Sequence, residues 1–116
     1  MSSSELTKKS CEPCRGGIDP MTADEAESYL AQVPGWELST DARRIKRGFS
    51  FDTFKDVIDF VNEVGALAEA EGHHPEIRFG WGYCEIEIFT HKIGGLHQND
   101  FILAAKINDL PAAATG

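Results

Sequence analysis

The sequence predicts a single-domain α+β fold, an antiparallel sheet of about four strands with three helices packed on one face. Three observations lead there. Two long segments repeat apolar residues every three or four positions, as helices do, and a third, shorter one carries Leu30 and Val33 at the same spacing. The segments between them alternate apolar with polar residues, as half-buried strands do. The strands arrive in hairpin-like pairs between helices, whereas a parallel sheet would alternate single strands with crossover helices. A length of 116 residues suits one core.

Residues 1–20 are rich in Ser, Lys, Pro and Gly, and read as an N-terminal arm that order could reach only by docking. The domain proper spans 21–111, and 112–116 form a frayed, Ala-rich C-terminal tail. Thr22-Ala23-Asp24-Glu25 has the form of a capping box, so the first helix starts there and Pro34-Gly35 stops it. Trp36-Glu37-Leu38 and the run from Arg43 to Phe51 make a hairpin across a turn at Ser39 to Ala42, with Ile45, Phe49 and Phe51 on one parity. From Thr53 to about Ala70, the residues Phe54, Val57, Ile58, Val61, Val64 and Leu67 mark an amphipathic helix, capped by Asp52 or Thr53 and closed by Gly72. Ile77 to Phe79 and Tyr83 to Thr90 are the next strands; in the second, Cys84, Ile86 and Ile88 face the core and Glu85 and Glu87 face away. A loop at His91 to Gly95 leads to a last helix bearing Leu103, Ile107 and Leu110, which stops before Pro111. The aromatic residues Phe49, Phe51, Phe54 and Phe60 read as core.

Composition narrows the function. Nineteen acidic against eleven basic residues give a net charge of −8, which repels a nucleic-acid backbone, and the basic run Arg43-Arg44-Ile45-Lys46-Arg47 reads as a solvated strand face. No apolar run reaches the roughly 20 residues that span a bilayer. The start, MSSSELTKKS, has no apolar segment of a secretory signal, so the expected location is cytoplasmic, with no membrane partner. Three cysteines, an odd number, do not suggest a disulfide scaffold. Phosphate-loop and serine-hydrolase motifs are absent.

The chemistry-bearing residues are histidines. His73-His74 follow the helix-ending Gly72 and precede Pro75, on a loop held by rigid elements. They either do chemistry or cap the helix C-terminus as surface residues. His91 ends a strand with the parity of Glu85 and Glu87, which argues against a core histidine. An imidazole with its ordinary pKa of about 6.5 gives or takes a proton near neutrality. A zinc site is the competitor, because Cys11-Glu12-Pro13-Cys14 adds two thiols at ligand spacing. Adjacent histidines point apart, however, and no second Cys pair exists, so the expectation is no metal. Cys84 reads as a small buried hydrophobe.

The pattern Glu69-x-x-x-His73-His74-Pro75, then Trp81, His91 and Asp100, resembles the signature of the pterin-4a-carbinolamine dehydratases. Cys11-Glu12-Pro13-Cys14-Arg15-Gly16-Gly17, Pro34-Gly35-Trp36, Phe60-Val61-Asn62 and Thr90-His91-Lys92-Ile93-Gly94-Gly95-Leu96 look like bacterial-type members. The resemblance covers about residues 11–110 and departs at His97, where relatives usually place a capping Thr or Ser; here His97 or Asn99 must start the last helix.

The resemblance implies a hydro-lyase that removes water from a 4a-hydroxytetrahydropterin, giving quinonoid dihydropterin in tetrahydrobiopterin recycling, downstream of an aromatic amino acid hydroxylase. It implies His73 and His91 as the acid/base pair and His74 as the residue that positions the pterin. Glu69 either orients a histidine or is a solvated helix acid, and Asp100 either supports the site or stabilises a helix N-terminus. No cofactor is implied, the pterin being the substrate. Family members form homodimers or homotetramers. The alternatives are a non-catalytic binding or dimerisation module of the same fold, or a dehydratase-like protein for another pterin, such as one on the molybdopterin route.

Overall fold

The computed structural model of the chain describes residues 3–11 and 17–114. Along it run α1 (Ser3–Thr7), α2 (Ala23–Leu30), β1 (Glu37–Leu38), β2 (Ile45–Ser50), α3 (Phe54–Glu71), β3 (Glu76–Gly80), β4 (Tyr83–Ile88) and α4 (Gln98–Asn108). Short 3₁₀ turns lie at His91–Ile93 and Pro111–Ala114. The four strands form one antiparallel sheet in the order β1-β2-β4-β3, with β1 and β3 at its edges. The α+β architecture read from the sequence is the one observed, with α2, α3 and α4 as its three long helices.

The register explains the layering. Ile45 pairs with Ile88, Phe49 with Cys84 and Ile77 with Ile86, so these side chains share one face. There they meet Val57, Phe60 and Val64 of α3 and Phe101, Leu103 and Ile107 of α4 in one core. The opposite face pairs Lys46 with Glu85 at 3.7 Å and Arg44 with Glu87 at 3.3 Å, while Arg78 reaches Glu85 at 3.2 Å. Exposed pairs of this kind contribute about 0–1 kcal/mol each, so the face is a solvated charge ladder rather than a source of stability. Arg47 departs from the expected solvated strand face. It has the parity of Ile45 and Phe49, lays its guanidinium 4.4 Å from the Phe49 ring centroid and bonds the Asn108 Oδ1 at 2.6 Å.

The helix boundaries follow their caps. Thr22 and Glu25 form the reciprocal capping box that starts α2, and Thr53 caps α3 by accepting from the Asp56 N–H. Gly72 ends α3 at φ +68°, a left-handed conformation that a side chain would strain, and its N–H and that of His73 both return to the Ala68 carbonyl.

Three expectations are corrected. Residues Ser3–Thr7 of the N-terminal arm form a short helix packed on α4, with Leu6 buried in the core, so docking does order this part. The Ala-rich end makes a 3₁₀ turn whose Ala113 is 3% exposed. Phe54, expected in the core, is 46% exposed, with its ring tilted 33° to that of Phe79 at 6.5 Å between centroids. Among the described residues, no helix is long and apolar enough to cross a membrane.

Candidate active site

The site is assembled where the end of α3, the start of α4 and the end of β4 meet. The left-handed turn at Gly72 swings the chain away from α3, and the next residue, His73, directs its ring inward. His73 Nε2 lies 2.6 Å from Asp100 Oδ1, with the histidine side chain 11% exposed and the carboxylate fully buried. Asp100 is the third residue of α4, where a carboxylate can reach back to the cap. Its Oδ2 accepts from the His97 backbone N–H and from the Thr90 hydroxyl, both at 2.8 Å. A buried carboxylate with three donors is fully satisfied, and none of the described residues leaves a buried polar side-chain atom unpaired. An ionised carboxylate only accepts, so the His73 tautomer that suits this contact donates from Nε2 and leaves Nδ1 for other chemistry.

His97 starts α4. Its Nδ1 accepts from the Asn99 N–H at 3.0 Å, while Asp100 returns to the His97 N–H, so an imidazole completes the capping box in place of a hydroxyl. This resolves the boundary left open between His97 and Asn99. The Asp100 carboxylate that closes the cap also bonds His73.

Thr90 is buried and binds Asp100; the next residue, His91, is exposed. A bridge between Thr90 and Gly95, with Thr90 N–H to Gly95 O at 2.9 Å, closes a tight loop that begins at His91. The His91 ring packs on Phe89 with centroids 4.2 Å apart, and Arg44 lies 4.5 Å from the same Phe89 centroid. His74 points elsewhere than His73: its Nε2 meets Glu69 Oε2 at 2.7 Å, with both side chains largely exposed. Glu69 therefore pairs with a histidine, in a solvated setting.

Behind the site, Lys106 Nζ and Glu71 Oε2 are 2.5 Å apart, and Glu71 Oε1 accepts the Cys11 N–H at 2.8 Å. The Cys11 thiol donates to the Asn99 carbonyl at 3.5 Å. Burial and the neighbouring Glu71 push that thiol up to about 12, and burial pushes Cys84 up to about 11, so neither is a thiolate at neutral pH. Cys14, the other half of the Cys-x-x-Cys pair, lies outside the described residues. Among the described residues, no three His, Cys, Asp or Glu side chains gather as a metal-binding group.

Sequence reasoning missed three contributors. Thr90 has core parity and a hydroxyl beside His91, a detectable signal. Phe89 is an aromatic on the charged parity of β4, also detectable. The Glu71–Lys106–Cys11 anchor spans 60 and 35 positions in the sequence and has no local signature.

Comparison with known proteins is consistent with this geometry. Residues 19–110 match the family model described as pterin 4 alpha carbinolamine dehydratase. A protein of Methylococcus capsulatus, named as a candidate pterin-4-alpha-carbinolamine dehydratase, is 56% identical over 114 residues, covering 98% of this chain and 100% of the relative. A similarly named protein of Halorhodospira halophila is 58% identical over 107 residues, covering 92% and 98%. Among solved structures, the transcriptional coactivator/pterin dehydratase from Brucella melitensis superposes with a TM-score of 0.74 at 26% identity, covering 82% of this chain and 99% of that one. A pterin dehydratase-like protein described as a RuBisCO assembly factor, at 23% identity and a TM-score of 0.56 over 71% of this chain, shares the fold. The chain belongs to the pterin-4a-carbinolamine dehydratase family.

Proposed function

We propose that this chain removes water from a 4a-hydroxytetrahydropterin, giving the quinonoid dihydropterin in tetrahydrobiopterin recycling, with His73 and His91 as the proton-transfer pair. The observation that carries this reading is the buried Asp100. It binds His73 directly and binds the Thr90 hydroxyl, one residue from His91, so one carboxylate ties together the two chain segments that bear the histidines.

The chemistry is proton-neutral. The C4a–O bond breaks as a proton reaches the departing hydroxyl, and a proton leaves a ring nitrogen as the new C=N bond forms. One donor and one acceptor that work near neutrality suffice, and the pterin is the substrate rather than a cofactor. His73, with Nε2 committed to Asp100, offers Nδ1. The His91 side chain makes no hydrogen bond to a described residue and touches only the Phe89 ring, so both of its ring nitrogens are open to a ligand. His74, held by Glu69 at the rim, positions the pterin, and Asp100 orients His73. The reaction needs no metal in this scheme, no nucleic acid and no membrane. The substrate would come from an aromatic amino acid hydroxylase, the setting is cytoplasmic, and the open edge strands β1 and β3 suit a homodimer or homotetramer.

A second reading, a non-catalytic binding module, is favoured by one observation, the coactivator in the name of the Brucella melitensis structure. Stopped-flow absorbance of a synthetic 4a-carbinolamine separates the two. The dehydratase accelerates its decay across pH 6 to 8, before and after dialysis against a strong chelator. No acceleration excludes the enzyme, and acceleration that chelation removes and zinc restores excludes the metal-free scheme.

A further inference from the structure

We propose that Phe89 is a positioning residue for His91, holding the imidazole by ring contact where no hydrogen bond does so. This rests on the proposed catalytic role of His91.

Phe89 lies outside the core. Successive residues of a strand alternate faces, so Phe89 continues the parity of Tyr83, Glu85 and Glu87, on the sheet face whose charged residues include Arg44, Lys46 and Arg78. The core cluster does not include it. An aromatic ring among ion pairs has no packing role in the core, yet this ring touches two side chains. The His91 ring lies 4.2 Å away between centroids at an interplanar angle of 43°, and the Arg44 guanidinium lies 4.5 Å from the centroid. Arg44 is itself tethered to Glu87 at 3.3 Å. The result is a supported contact, in which Glu87 holds Arg44, Arg44 covers Phe89, and Phe89 bears against His91.

The contrast with the other histidines gives the contact its meaning. His73, His74 and His97 each have a ring nitrogen fixed by Asp100, Glu69 or the Asn99 N–H. His91 alone has neither nitrogen fixed by a described residue, so its orientation comes from its backbone, closed by the Thr90–Gly95 bridge, and from Phe89. A ring–ring contact leaves both nitrogens free, so either can serve as the donor or the acceptor that the reaction needs. A hydrogen bond would occupy one.

The test uses the full chain. In the wild type, the His91 ring protons carry a ring-current shift from Phe89, visible by NMR of histidine-labelled protein. Phe89→Leu should abolish that shift and lower kcat about tenfold or more, as misplacement of a reacting group does, with KM nearly unchanged. Phe89→Tyr should restore both. In a His91→Ala background, Phe89→Leu should cost nothing further, because the two act as one unit. An unchanged His91 signal in Phe89→Leu, or an equal loss of kcat with His91 already removed, overturns the proposal. If His91→Ala alone turns over at the wild-type rate, the catalytic reading fails, and the ring-current shift still decides whether Phe89 holds His91.

Discussion

The two flanks of the candidate site hold their histidines by opposite means. On the inner flank, His73 is nearly buried and bonded to a carboxylate that three donors satisfy, at the junction of α3 and α4. On the outer flank, His91 is exposed at the end of β4 and bears on an aromatic ring. The inner arrangement engages one ring nitrogen and leaves the other open; the outer engages neither. The inner flank is also part of the fold, because Asp100 closes the α4 cap, whereas the Phe89 and His91 side chains of the outer flank lie outside the core. Removing a group from each side should therefore have different effects on stability even where the effects on turnover are similar.

Asp100→Ala is the most damaging change expected. It strands the Thr90 hydroxyl, the His97 N–H and His73 Nε2 together, and should cost about 3 kcal/mol or more of stability, as loss of one partner of a buried polar pair does. Urea denaturation measures it; a loss below 1 kcal/mol would show that the carboxylate is not the keystone of the inner flank. Next come the histidines. His73→Ala and His91→Ala should each lower the catalysed rate roughly 10²–10⁴-fold, the scale of positioned acid/base groups. His73→Ala should also lose about 1–3 kcal/mol of stability, because Asp100 loses a buried partner. His91→Ala should stay within about 0.5 kcal/mol of wild type, as exposed substitutions do. Equal losses of stability would erase the distinction between the flanks.

At the rim, His74 and Glu69 form an exposed pair worth about 0–1 kcal/mol, so His74→Ala should leave the melting temperature almost unmoved and act mainly on KM. A drop in kcat with KM unchanged would move His74 into the proton-transfer step. The smallest effect expected is that of Cys11→Ser with Cys14→Ser. A serine hydroxyl can donate to the Asn99 carbonyl as the Cys11 thiol does, so turnover should be nearly unchanged. Collapse of turnover in a folded variant would make the N-terminal arm part of the site.

Much of this was legible in the sequence, and the parts that were not share a cause. The two hairpins, the Thr22 cap, the Gly72 stop and the inward set Cys84, Ile86 and Ile88 are local periodicities or short capping patterns, which a sequence displays directly, whereas the β2–β4 pairing that joins the hairpins is not local. The docking of Leu6, the Glu71–Lys106–Cys11 anchor and the placement of Arg47 against Phe49 and Asn108 depend on long-range packing, which local propensity does not encode. At the site, the residue types pointed to proton transfer. That Glu69 serves His74, and Asp100 serves His73, is decided by the Gly72 turn, which sends two adjacent histidines to different partners.

The central claim is that His73 and His91, held so differently, act on one carbinolamine as a single unit. The direct measurement is single-turnover decay of the 4a-carbinolamine with wild type, His73→Ala, His91→Ala and the double variant, each shown to be folded. The double variant should lose less than the product of the two single losses, as jointly acting groups do. Full multiplicative loss would mean two independent contributions, and wild-type turnover in both single variants would contradict the claim outright.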